Sequence, residues 1–141
     1  MSPTILYRIA AVLLVLFAFG HTTGFLSFKP PSAEGVAVLN AMNSVAFQFE
    51  GNERTYGGFY TGFGLTVTVY LLFSAFVAWH LGRYAPSQPR IVAPLAWALA
   101  AVQLVSLALS VKYFFLIPTV FSALVVACLA WATLLVKRSA A

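Results

Sequence analysis

Residues 55–81 read TYGGFYTGFGLTVTVYLLFSAFVAWHL and contain no Asp, Glu, Lys or Arg. At about 1.5 Å per helical residue, such a run is long enough to cross a hydrocarbon core of roughly 30 Å. Three more charge-free stretches do the same: residues 9–28, 91–111 and 113–136. Their apolar positions are continuous rather than alternating, which argues for helices and against the strands of a membrane barrel. The expected fold is therefore all-α: an integral membrane four-helix bundle, with residues 1–141 forming one four-span transmembrane domain.

Composition agrees. The chain is 62% hydrophobic and 8% charged, against roughly 25% charged in soluble domains. So few charges cannot cover a water-facing surface of this size. The net charge of +5 does not indicate a nucleic-acid partner, because the Lys and Arg residues are scattered at segment ends with no basic cluster. The first span is expected to begin near Thr4, with Arg8 snorkelling to the interface. A cleaved signal ending at Ala18-Phe19-Gly20 is the alternative there. The apolar run continues past that point, which favours a retained helix. The fourth span is expected to start at Pro118, leaving residues 114–117 as a tight connection.

Arg8, Arg83, Arg90, Lys137 and Arg138 flank one side of these spans, and Lys29, Arg54 and Lys112 the other. This bias places both termini in the cytoplasm, with residues 29–54 external. Within that loop, Pro30-Pro31-Ser32 reads as a helix stop followed by an N-cap, and Glu34 suits the first turn that follows. Val36, Leu39, Met42, Val45, Ala46 and Phe49 recur at helical spacing opposite Asn40 and Asn43, which predicts a short amphipathic helix. Glu50-Gly51-Asn52-Glu53 reads as a turn.

The lone cysteine, Cys128, rules out an intramolecular disulfide and fits a packing role in mid-span. Gly20 and Gly24, and Gly58 and Gly62, have the G-x-x-x-G spacing at one end of their spans, predicting that the first two spans meet through these glycines. Gln103, Ser106 and Ser110 lie on one stripe of the third span and suit interhelical hydrogen bonding. His21 and His80 belong to opposite ends, so they cannot share a haem iron. No metal triad, phosphate loop or nucleophile elbow is present, and no cofactor is expected.

Gly20-His21-Thr22-Thr23-Gly24-Phe25, and Arg54-Thr55-Tyr56 followed by Phe59-Tyr60-Thr61-Gly62-Phe63-Gly64-Leu65, resemble the motifs of a bacterial family of small four-span membrane proteins. Ala41-Met42, Phe47, Gly51 and Tyr113-Phe114-Phe115 are similar too. The resemblance covers most of the chain and implies topology rather than activity. In outline the bundle is also similar to DoxX-like proteins and to sterol-binding relatives. Where the family pattern has a Trp-Asp pair, this chain has Gly57-Gly58, so a carboxylate at the mouth of the second helix is missing.

The candidate chemistry gathers at the external end. His21, Glu50, Glu53 and Tyr60 are the candidate acid/base set, and Arg54, Tyr56, Lys112 and Tyr113 the candidate substrate-binding set. Ionisable groups at membrane depth are costly and often mark a site. The plainer reading gives His21 a backbone carbonyl and the tyrosines a place in the interfacial belt. Three functions remain. The first binds, and as an enzyme would transform by acid/base chemistry, a lipophilic molecule held in a pocket at the external end of the bundle among membrane lipids. The second is an accessory subunit, as a homo-oligomer or in a larger membrane complex, using a small-residue stripe such as Ala93, Ala96, Ala100 and Ala101. A transporter is the third. For the topology, a reporter fused to the C-terminus is expected to read as cytoplasmic, and one placed near Ser32 as external. A periplasmic-type signal from the C-terminal fusion reverses the orientation.

Overall fold

A serine ahead of a proline starts the first helix. In the computed structural model, which describes residues 1–140 (backbone only for Ser139 and Ala140), Ser2 caps α1 (Pro3–Leu26) by accepting from the Ile5 N–H at 3.4 Å. Pro3 fits the first turn because its missing N–H would have had no partner there. Ser32 caps α2 (Ala33–Ser44) through the Gly35 N–H at 3.1 Å. Bonds from its own N–H and the Ser32 hydroxyl hold the Glu34 carboxyl below the usual carboxylate range, as suits an anion at a helix N-terminus. Thr55 caps α3 (Tyr56–Tyr84) through the Gly58 N–H at 3.0 Å. Then α4 (Pro89–Tyr113) and α5 (Leu116–Ala140) complete the chain.

The four long helices are apolar enough to cross a membrane, and the protein is an integral membrane protein. Phe63, Val69 and Phe73 on α3 and Leu104 and Val105 on α4 are all exposed, a surface that lipid solvates and water does not. Aromatic residues mark the two interfaces. Exposed Trp79, Trp97 and Trp131 lie toward the end that carries the termini, and exposed Tyr56, Tyr60 and Tyr113 toward the opposite, loop-bearing end. Tyr60 to Trp79 spans about 29 Å of helix and Trp97 to Tyr113 about 24 Å, close to a bilayer core.

Inside the bundle, α1 packs against both α3 and α5, and α4 packs against α5, while the α3–α4 seam is the lightest. Ala10, Ala18, Ala78, Ala96 and Ala132 are buried, and their small side chains let the backbones approach. The α1–α3 approach is tight at Gly82, where a Cβ would stand 3.0 Å from Tyr7 Cβ and 3.2 Å from the Thr4 carbonyl oxygen.

Several sequence expectations are corrected. The loop helix stops at Ser44, and Ala46–Phe49 is instead strand β1, paired antiparallel with β2 (Asn52–Thr55). Glu50 and Gly51 form the two-residue turn, both with positive φ (51° and 77°), the backbone of a tight hairpin. Val45, Phe47 and Phe49 have strand propensity, and the turn gives them a partner strand. Asn43 is not simply on the solvent side of α2, since its side chain fills the space beside Gly57.

Pro118 is the third residue of α5, not its start, because every N–H of a first turn lacks a helical partner. The connection shortens to Phe114 and Phe115. The expected glycine contact also fails: at Gly20, Gly24 and Gly62 an added methyl group would meet nothing within 4 Å, and at Gly58 it would meet only the cap residue Thr55. The helices meet one residue around, because α1 turns His21, Thr22 and Phe25 toward α3. Gly82→Leu should therefore destabilise the bundle by about 1–3 kcal/mol or more through overpacking, whereas Gly24→Leu and Gly62→Leu should be nearly neutral. Thermal unfolding in detergent checks this. Equal losses at all three positions would contradict the helix contact described.

Candidate functional site

The last two turns of α1 carry polar groups into the apolar span, and each finds a partner. The His21 Nε2 lies 3.0 Å from the Gly64 carbonyl oxygen on α3. A carbonyl only accepts, so Nε2 carries the proton, and in the neutral ring Nδ1 is left with a lone pair. One turn on, the Phe25 ring stacks on His21 (centroids 5.8 Å) and touches Tyr60 (5.1 Å). Phe25 lies where a side chain at Gly64 would be, so glycine there is what allows the ring to seat. The Thr22 hydroxyl donates to the Ala18 carbonyl at 2.7 Å and accepts from Thr68 at 2.8 Å. The contact face of α3 is thus Tyr60, Gly64 and Thr68, spaced by four.

The loop covers the start of α3. Phe47 of β1 packs on Tyr56 (4.9 Å) and Phe59 (5.5 Å), and Phe59 in turn meets Phe63. The C-terminal part of α2 reaches Gly57, whose missing side chain leaves room for Asn43 and the Met42 carbonyl. The Gly57 that stands in place of an expected tryptophan is therefore a contact point for the loop helix.

The structure brings His21 and Tyr60 together through Phe25 and sets Tyr56 against Phe47. It places Glu50 in the exposed hairpin turn and Glu53 on exposed β2. Among the described residues neither acid hydrogen-bonds to His21 or Tyr60. Arg54 donates to the Glu53 carbonyl at 2.7 Å rather than to a carboxylate. Lys112 and Tyr113, both exposed at the end of α4, contact each other, with the ammonium 5.0 Å from the ring centroid. No group of three or more His, Cys, Asp or Glu that could hold a metal occurs among the described residues. The alanine stripe considered for a partner subunit does not face outward: Ala96 and Ala100 are buried, and Ala101 alone is exposed.

Sequence reasoning missed the partners of the mid-span hydroxyls. Gln103, 2% exposed, donates to the Tyr70 hydroxyl at 2.8 Å, and Tyr70 donates to Ser106 at 2.9 Å. Ser106 passes its own proton to the Val102 carbonyl. Fully buried Tyr7 donates to Thr133 on α5 at 3.2 Å, and Ser110 donates to Thr119 at 3.2 Å. The stripe of Gln103, Ser106 and Ser110 gave the signal on α4. Tyr70 gave a signal too, since at about 21 Å along α3 from Tyr56 it is too deep for an interfacial belt.

No protein-family model, curated protein or solved structure matches this chain. Tyr70→Phe should lower stability by about 1–2 kcal/mol, because Gln103 loses its acceptor inside the bundle. Unfolding of the purified protein measures it, and an unchanged midpoint would show that the Tyr70 bonds contribute nothing.

Proposed function

We propose that this protein binds a lipophilic molecule bearing one hydrogen-bond donor, such as a hydroxyl, at the loop-bearing end of the bundle. One observation carries the reading. His21 is anchored through Nε2 on Gly64, which leaves Nδ1 as an acceptor half-buried in an aromatic, apolar setting. A base held in one tautomer by a backbone partner is the arrangement that general-base chemistry uses. Tyr60 stands two aromatic contacts away and supplies a hydroxyl. Arg54, Tyr56, Lys112 and Tyr113 would meet the polar head at the interface, and Glu50 and Glu53 would serve as proton acceptors in the overlying hairpin. Phe, Leu and Val side chains suit the apolar remainder.

In the orientation favoured by the basic residues, this end faces outward from a bacterial inner membrane and both termini are cytoplasmic. The ligand then reaches the site laterally from the outer leaflet. The accessory-subunit reading is weaker, because its small-residue stripe points largely into the bundle.

The experiment is to purify the protein in mild detergent and identify copurifying apolar molecules by mass spectrometry. His21→Ala should reduce retention about tenfold, the loss of one good hydrogen bond to the ligand. His80→Ala, at the opposite end, should leave retention unchanged. Equal retention in His21→Ala and the parent would make His21 a packing residue only.

A further inference from the structure

At the opposite end, two apolar grooves converge on Arg8, a cation with no carboxylate partner among the described residues. The first, about 420 Å³, runs between α1 and α3 and is walled by Val12, Val15, Leu16, Leu72, Phe76 and Trp79. Its floor is formed by Ala11 and Ala75, 4% and 5% exposed. The groove exists because small residues there are flanked by large ones. The second, about 300 Å³, lies along α1 beside Ile5, Arg8 and Ile9, and shares Val12 with the first. The Arg8 guanidinium sits 5.2 Å over the Trp79 ring, placing it between the two.

The charge at this point is uncompensated. Among the described residues Arg8 has no carboxylate partner, and all three acids of the chain, Glu34, Glu50 and Glu53, belong to the loop at the far end. Arg83, Arg90, Lys137 and Arg138 share the Arg8 end and add to a positive field that concentrates anionic lipid. Trp79 marks headgroup depth, so Arg8 is at the level of a phosphate while the first groove runs inward at the level of acyl chains. A guanidinium presents a planar fork of donors suited to phosphate oxygens, and the indole beneath holds it in place.

We propose that this face is a binding site for an anionic phospholipid, its phosphate on Arg8 and its two acyl chains in the grooves on either side of Val12. The site is independent of His21 and lies at the other end of the bundle. Two acyl chains match two grooves, and one phosphate matches the Arg8 guanidinium between them. Neutral phospholipids would occupy the same grooves with less preference, because their headgroups carry no net negative charge.

The test uses Trp79 as the reporter. With Trp97→Phe and Trp131→Phe in place, it is the chain's one remaining tryptophan. The protein is reconstituted in bilayers containing bromine-labelled phosphatidylglycerol or phosphatidylcholine, and quenching gives the relative affinity at the site. Phosphatidylglycerol should be preferred, and Arg8→Gln should lower that preference about fivefold, the typical effect of one basic residue at a lipid surface. Arg90→Gln, at the same end but on α4, which lines neither groove, should change it less than about twofold, and Val12→Phe should weaken quenching by either lipid by filling both grooves. Equal quenching by the two lipids in the parent, equal effects of Arg8→Gln and Arg90→Gln, or no effect of Val12→Phe would each overturn the proposal. So would displacement of the lipid by millimolar-range inorganic phosphate alone, since that would show an anion site without acyl recognition.

Discussion

A hydroxyl or imidazole inside hydrocarbon has no water to fall back on, and how such groups are paired organises the α1, α3, α4 and α5 bundle. The same solution recurs at each interface. Tyr7 donates to Thr133, which donates to the Leu129 carbonyl. Thr68 donates to Thr22, which donates to Ala18. Tyr70 donates to Ser106, which donates to Val102, and Ser110 donates to Thr119, which donates to Phe115. Each chain of bonds crosses between helices and ends on a carbonyl four residues back along the receiving chain, within the helix in three cases and just ahead of α5 at Phe115. Within these chains every hydroxyl proton is used, and each of the four packed helix pairs carries one such cross-link. In α1 this pairing overrides the glycines: His21 and Thr22 need partners, Gly20 and Gly24 do not, so the polar face turns inward and the glycines turn to lipid.

This is also why the spans were legible in the sequence and the contacts were not. Residues 55–81 announce a helix by length and lack of charge alone, and Ser32 and Glu34 announce the start of α2 by local chemistry. Neither inference needs a partner. The contact face does. A G-x-x-x-G spacing is compatible with packing on any side that a neighbour occupies, and the neighbour is chosen by residues far along the chain, such as Gly64 and Thr68 for α1. The hairpin was hidden for a similar reason. Val45, Ala46 and Phe49 continue the helical spacing of α2, and only the left-handed pair Glu50 and Gly51, with β2 beyond it, shows that they leave it. At the candidate site, His21 and Tyr60 could be placed at one end from their spans, but the ring of Phe25 between them could not.

The two ends of the bundle present opposite chemistry to the bilayer. At the loop-bearing end, α2 and the hairpin seat on α3 through Gly57, Tyr56 and Phe59, and the three acids are spread over α2 (Glu34), the exposed turn (Glu50) and β2 (Glu53). The polar group at membrane depth there is His21, an acceptor through Nδ1. At the other end the polar group is Arg8, a donor and a cation above apolar grooves. An acceptor suits a molecule with a hydroxyl, and a cation suits a phosphate, so the two proposed ligands differ by chemistry as well as by place. His80 belongs to this second end, where its Nδ1 is 2.9 Å from the Phe76 carbonyl and its ring packs on Phe76.

The two histidines therefore provide the most direct measurement. His21 bonds a carbonyl through Nε2, and His80 bonds one through Nδ1, so their neutral rings must hold opposite tautomers. Nitrogen-15 spectra of the histidine-labelled protein in lipid bilayers, at a pH where both rings are neutral, report the protonated nitrogen of each ring, and His80→Gln assigns the signals. The account predicts that His21 is protonated on Nε2 with a bare Nδ1, and that His80 is protonated on Nδ1. A His21 ring protonated on Nδ1, or one exchanging between tautomers, would contradict both the α1–α3 contact and the acceptor on which the proposed binding site rests.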